Sequence, residues 1–394
     1  MRMSVKAMVV ALSFTVSSWV SAQTCTGDRW PLWEVFKAHF IQENGRVIDA
    51  STPEQHSSTE GQSYSMFFAM VANDQASFDR LWKWSTDNLF QGDIENRLPA
   101  WIWGVDENNE WGILEHNSAS DADLWFVYAL LEAGRLWNDK KYTQDAYKLL
   151  AQIELKEVVD LPDLGAMLLP GEHGFVQEDH WVLNTSYMPV FLLRRLQNES
   201  PLSPWGDVAK HTVTLLENTT PHGYVADWSA YMNNASKEGV GFSPTMPGKP
   251  PIGSYDAIRT YMWAGMMVDE DVLTKPVLAA LPGMLNYLKQ GELTPPEKVD
   301  VMTGVTEGSG SFGFSAALVP YLKANKEFDL MGQQKRRAEV LLRQSVLPAN
   351  IAQQQPPYYD FVLSLFGLGW ADGCFVFNEQ GEVSVYWEQE HANK

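Results

Sequence analysis

Apolar residues recur at helical spacing along most of the chain. Trp30, Trp33, Phe36 and Phe40 fall at i, i+3, i+6 and i+10, one face of a helix. The same period predicts helices at about residues 61–72, 77–89, 121–137, 141–157, 185–197, 205–217, 255–268, 271–290, 311–325, 328–345 and 358–371. With the first, these make about twelve helices, mostly in pairs joined by short turns.

The segments are of two kinds. Gly61–Ala72 and Ala257–Val268 are apolar nearly all round, whereas Phe328–Arg343 is charged along one side. A buried set alternating with a half-exposed set is what an inner ring of helices wrapped by an outer ring requires. The fold expected is therefore all-α, an (α/α)6 barrel of six helical hairpins. An open α-solenoid would carry a repeated sequence signature, and none is visible. Strand-like segments are few: Leu98–Val105, and a hairpin over Cys374–Val385 that turns at Glu379-Gln380-Gly381. They read as minor β additions.

The N-terminus departs from this pattern. Arg2 and Lys6 precede an apolar run, Ala7 to Val16, too short to stay in a bilayer, and Val20-Ser21-Ala22 offers small residues for cleavage before Gln23. Residues 1–22 thus read as a secretory signal peptide, and 23–394 as a single domain that is periplasmic or secreted, with no stable membrane insertion. Losing Arg2 and Lys6 moves the net charge from −20 to −22. So acidic a surface repels phosphate backbones and anionic lipid, which argues against nucleic acid as a partner; a neutral polymer is not excluded. The two cysteines, Cys25 and Cys374, lie at the ends of the domain, and the sequence leaves open whether they pair.

Three carboxylates open helices: Glu60 in STEGQSYSMFFAM, Asp121 in SASDADLW and Asp256 in GSYDAIRTYMW. Each also has a purely structural reading. Ser57 to Glu60 has the form of a capping box, Ser118 to Asp121 has a related form, and Asp256 is itself a candidate N-cap. The functional reading is sugar chemistry, since glycosidic hydrolysis needs one protonated carboxyl and one ionised carboxylate in one cleft. Inner helices of a barrel bring distant helix mouths together. The helix dipole favours carboxylate, so a general acid there needs burial or a neighbouring negative charge to hold its proton.

Asp121-Ala122-Asp123 also matches a DxD metal motif, but such motifs usually follow a strand, and this one opens a helix. No HExxH, zinc-spaced cluster, phosphate-cradling glycine loop or GxSxG is present, so no metal or cofactor is expected. Sixteen tryptophans exceed what most cores use. Trp101 and Trp103, at i and i+2 in an extended segment, share a face on which a pyranose ring can stack.

Together these segments resemble the family 8 glycoside hydrolases, from about Cys25 to about Val385. Ala119–Trp137 looks like the family's signature region, and STEGQSYSMFFAM, LPAWIWG and GSYDAIRTYMWAGM agree in order and spacing. The likeness is strongest to members encoded with bacterial cellulose synthases. It implies an inverting endo-β-1,4-glucanase acting on a β-1,4-glucan chain, with a functional link to a cellulose synthase complex. By motif position Glu60 matches the general acid, Asp256 the general base, and Asp121 a carboxylate that positions the sugar being cleaved. Tyr255 and Arg259 match residues lining that site; Asn184, Tyr187, Trp101 and Trp103 match sugar-binding neighbours. Ser65, Met70 and Val127-Tyr128 depart from the family pattern at packing scale. Alternatives are a xylanase or chitosanase of the same family, or a noncatalytic glucan-binding factor for cellulose export.

Overall fold

The computed structural model describes Cys25, Trp30–Asp49, Thr52, residues 54–233 and residues 241–391. The signal segment lies outside the described residues. Fifteen α-helices are present among them: α1 (Pro31–Phe40), α2 (Thr59–Val71), α3 (Gln75–Asn88), α4 (Ser120–Leu136), α5 (Lys140–Lys156), α6 (Val190–Glu199), α7 (Trp205–Thr219), α8 (Ala257–Met266), α9 (Thr274–Ala280), α10 (Pro282–Lys289), α11 (Phe312–Ala324), α12 (Phe328–Ser345), α13 (Pro348–Ile351), α14 (Tyr358–Ala371) and α15 (Tyr386–His391).

Two predicted helices are broken, each at a proline. Residues 271–290 split into α9 and α10 because Pro282 begins a new first turn, where its missing N–H costs nothing. Residues 185–197 split into a 3-10 turn, Thr185–Tyr187, and α6, which starts after Pro189. α13 and α15 are short additions beyond the twelve expected.

Helices α2, α4, α6, α8, α11 and α14 form the inner ring. Every residue of α8 is buried, as are all but the acid of α2, which explains why these segments read as apolar all round. Their axis is filled by aromatics. Phe366 of α14 meets Tyr64 and Phe67 of α2, Trp125 of α4 and Trp263 of α8, with ring centres 5.3, 5.6, 5.1 and 5.0 Å apart. Close approach of neighbours is bought with glycine: a Cβ at Gly367 would stand 2.0 Å from the Ala316 carbonyl oxygen of α11. The outer helices bury one stripe each, such as Gln334, Ala338 and Leu342 of α12.

Strands are more numerous than the sequence suggested. Besides Ile102–Val105 and the hairpin Phe375–Phe377/Val383–Val385, short strands of two to five residues lie in the connections, among them Trp111–Glu115, Val158–Leu161, His180–Leu183 and Ser229–Met232. Runs this short carry too few alternations to be read. The C-terminal hairpin packs against the inner helices α4 and α6. There Gly381 O accepts from the Tyr128 hydroxyl at 2.8 Å, and Phe377 stacks on Phe191 at 3.9 Å.

Cys25 and Cys374 form a disulfide with Cα atoms 5.2 Å apart, fastening the segment before α1 to that hairpin. It spans 349 residues of chain. A loop that long costs the unfolded chain much entropy when closed, so Cys374→Ser should lower unfolding free energy by about 2–4 kcal/mol. Guanidinium titration of both proteins would register it, and equal midpoints would contradict it.

Candidate active site

Helix N-termini of the inner ring converge on one cleft of about 330 Å³. α2 brings Glu60 and Tyr64, α8 brings Asp256 and Arg259, and α14 brings Tyr358 and Tyr359. Trp101, Tyr187, Trp228 and Tyr255 complete the aromatic walls. Six of the nine residues singled out from sequence therefore line it directly. Asp121 and Asn184 lie just beneath, through contacts described below. Trp103 stands away from the cleft wall, against Trp84 and Trp111.

Glu60 is not held in a capping box. Ser58 Oγ takes the cap by accepting from the Gly61 N–H at 3.1 Å, and the Glu60 carboxylate turns into the cleft. Both of its oxygens accept from the Trp101 indole N–H at 3.0 Å. The strand Ile102–Val105 pairs with Ser57–Ser58, immediately before α2, so acid and indole are positioned by one ladder.

Asp256 is also not a cap by its side chain. Asp227, from a distant loop, accepts from the Ala257 and Ser254 N–H groups at 2.8 Å each and does that work instead. This frees the Asp256 carboxylate, whose Oδ1 accepts from Arg259 at 2.7 Å. Burial pushes its pKa up to about 6; Arg259 opposes that and Asp227 adds to it.

Arg259 joins the acids. One terminal nitrogen donates to Asp256 and to Ser186 Oγ at 3.1 Å. The other donates to Asp121 Oδ2 at 2.8 Å and to the Tyr64 hydroxyl at 2.9 Å. Tyr64 donates in turn to Asp121 at 3.3 Å, and burial holds its hydroxyl protonated. Asp121 is itself buried, and that burial raises its pKa against the pull of Arg259, with the Glu60 charge raising it further. Asn184 Oδ1 accepts from the Ser186 N–H and hydroxyl, while its buried Nδ2 finds no acceptor among the described residues and lies on the side of Asp256.

Asp123 of the DxD pattern does a different job. It is fully buried against Glu157 at the end of α5, and neither Asp123 oxygen nor Glu157 Oε2 meets an N–H or O–H donor among the described residues. Two carboxylates cannot both ionise there, so a carboxyl proton supplies the missing donor; burial raises both pKa values. Ser118 Oγ donates to Glu157 Oε1 at 2.6 Å, which ties the pair to the segment leading into α4. Because Glu157 holds its proton more tightly when folded, its contribution to stability is complete below its ordinary pKa of 4.5 and is lost as pH rises. Glu157→Gln keeps a donor for Asp123 without a titrating proton. Its melting temperature should fall less than that of the wild type between about pH 5 and pH 8. Parallel melting curves would contradict the shared proton.

Tyr358, Tyr359, Trp228 and Asp227 escaped the sequence reading. Tyr358 and Tyr359 had a signal, since they open an inner helix as the three acids do. Trp228 and Asp227 sit in a loop with nothing local to mark them.

Two carboxylates facing an aromatic cleft at the mouth of a double-ringed helical barrel define a glycosidase-type site. The comparisons agree. Residues 3–373 match the family model described as glycosyl hydrolases family 8, and the chain belongs to that family. It is 43% identical over 390 residues to an endoglucanase of Pseudomonas fluorescens, covering 97% of each chain. It is 40% identical to an endoglucanase of Escherichia coli, over 100% of this chain and 99% of that one. The crystal structure of an endo-1,4-D-glucanase from Vibrio fischeri superposes with a TM-score of 0.84 at 36% identity, over 91% of this chain and 100% of that one. The fold is the (α/α)6 barrel, and the protein is a glycoside hydrolase.

Proposed function

We propose that the protein is an endo-β-1,4-glucanase that cleaves internal bonds of cellulose or soluble β-glucan with inversion. The observation that carries this reading is the placement of Glu60 and Asp256 in one aromatic cleft, each relieved of capping duty by another residue. Glu60 donates a proton to the glycosidic oxygen as the C1–O bond breaks. Asp256 accepts a proton from the water that attacks C1 on the opposite face of the ring. Asp121, held by Arg259 and Tyr64, positions the sugar being cleaved. Tyr187, Tyr255 and Trp101 offer ring faces and hydroxyls to the chain, and the Asn184 amide N–H supports Asp256 from beneath.

The relatives named as endoglucanases over nearly their whole length support the glucan substrate. Release of reducing ends from carboxymethylcellulose, xylan and chitosan tests it. Turnover on carboxymethylcellulose well above the other two is expected; a preference for xylan or chitosan would replace the substrate, and activity on none would leave a glucan-binding factor.

The reading extends to export and to a role beside a cellulose synthase. Residues 1–22 have the composition of a signal peptide, and a disulfide suits an oxidising compartment. No helix among the described residues is long and apolar enough to cross a membrane. Cell fractionation for the first, and cellulose yield in a deletion strain for the second, are the corresponding tests.

A further inference from the structure

Three tryptophans lie in and just before the hairpin beside the acid. Strand Ile102–Val105 pairs on one side with Ser57–Ser58 and on the other with Trp111–Glu115. Alternation places Trp103 and Val105 on the same face, and Trp101 immediately precedes the strand. Trp111 lies opposite Val105 and so shares that face. Trp101, just before the strand, meets Glu60 through its indole N–H, and Trp111 stands on the outer strand of the hairpin.

Trp111 is held more firmly than a surface ring needs to be. It is stacked on Trp103 with ring centres 5.2 Å apart and planes 20° apart. The Arg46 guanidinium lies 4.4 Å from the Trp103 ring centre and 4.6 Å from that of Trp111. The three centres form a near-equilateral triangle, so Arg46 and Trp103 crowd the same side of Trp111. Arg46 is anchored by Ser57 Oγ at 2.7 Å, and Trp103 packs edge-on against buried Trp84. Despite this support Trp111 remains 50% exposed. A ring braced from one side and open on the other is suited to stacking on the flat apolar face of a pyranose, with its rotamer already fixed.

We propose that Trp111 is a distal sugar-binding platform that extends the cleft on the acid's side. Its occupant is a glucosyl unit of the same β-1,4-glucan chain, remote from the bond that is cut. One short hairpin joins Trp101, which bonds Glu60 and lines the cleft, to Trp111 on its outer strand, and that is the reason for choosing the substrate over another partner. The proposal rests on the β-glucan reading.

The test compares wild type, Trp111→Ala and Trp111→Phe on cellotetraose and cellohexaose. A stacking contact of ordinary strength predicts that Trp111→Ala lowers kcat/KM on cellohexaose by about 3–10-fold, through KM, with cellotetraose little affected. Trp111→Phe should recover most of the loss. Calorimetric titration of cellohexaose into Glu60→Gln, with and without Trp111→Ala, should show the same weakening without turnover. Equal losses on both lengths, no loss on either, or unchanged cellohexaose binding would overturn the platform. Failure of the wild type to cleave cello-oligosaccharides while Trp111→Ala still weakens their binding would instead overturn the catalytic reading and leave the platform standing.

Discussion

Glu60→Gln should lower kcat on carboxymethylcellulose by about 10²–10⁴-fold while binding of cello-oligosaccharides stays near that of the wild type. The amide is isosteric and still accepts from the Trp101 indole, so neither the turn at Ser58 nor the cleft wall is disturbed. What is lost is the transferable proton. Without it the leaving oxygen departs as an alkoxide, and that difference falls on the chemical step alone. Steady-state rates on the polymer together with calorimetric titration of cellohexaose separate the two quantities. A variant that retained a tenth or more of wild-type kcat would place the acid elsewhere.

Arg259→Ala is the second large effect, and it should appear in stability and in pH dependence together. The guanidinium is buried and donates to Asp121 and Asp256 from its two terminal nitrogens. Removing it leaves buried Asp121 and half-buried Asp256 without their cation, and breaking a buried ion pair from one side costs about 3–5 kcal/mol. It also removes the attraction that lowers both pKa values against the effect of burial. The base must be ionised to accept a proton, so activity in the wild type should fall as pH drops through about 6. In Arg259→Ala this limb should move to higher pH, because the carboxyl then holds its proton more tightly. A pH–rate profile of kcat/KM for both proteins measures the displacement. A limb that stayed in place, or moved to lower pH, would show that Asp256 does not feel Arg259 as the structure has it.

The residues that mattered were legible in different degrees, for physical reasons. Inner helices announced themselves because burial on all sides leaves no polar stripe, as in Gly61–Ala72. Arg259 stands one turn after Asp256, so their contact is local and follows from helical spacing. The link from Arg259 to Asp121 crosses 138 residues and exists only because the ring closes. Local pattern also misled. Ser57-Ser58-Thr59-Glu60 has the spacing of a capping box, yet the nearby strand offers Glu60 an indole N–H, and the reciprocal half of the box does not form. The cap of α8 comes from Asp227, 30 residues before Ala257. No local pattern marks a residue whose role is to relieve another of its role. Tyr358 and Tyr359 were the readable omission, since the rule that found the acids, polar groups at the mouth of an all-apolar helix, applies to them unchanged.

The chemistry assigned to Glu60 and Asp256 has one direct consequence in the product. If Asp256 activates water on the face opposite the leaving oxygen, each cut of a β-1,4 bond produces a new reducing end in the α configuration. Proton NMR of cellohexaose in the first minutes of hydrolysis, before mutarotation, reads that configuration from the anomeric signals. The α-anomer should accumulate first, with the β-anomer following at the mutarotation rate. Initial release of the β-anomer would mean that a carboxylate attacks the sugar itself, and would contradict the acid–base pair described here.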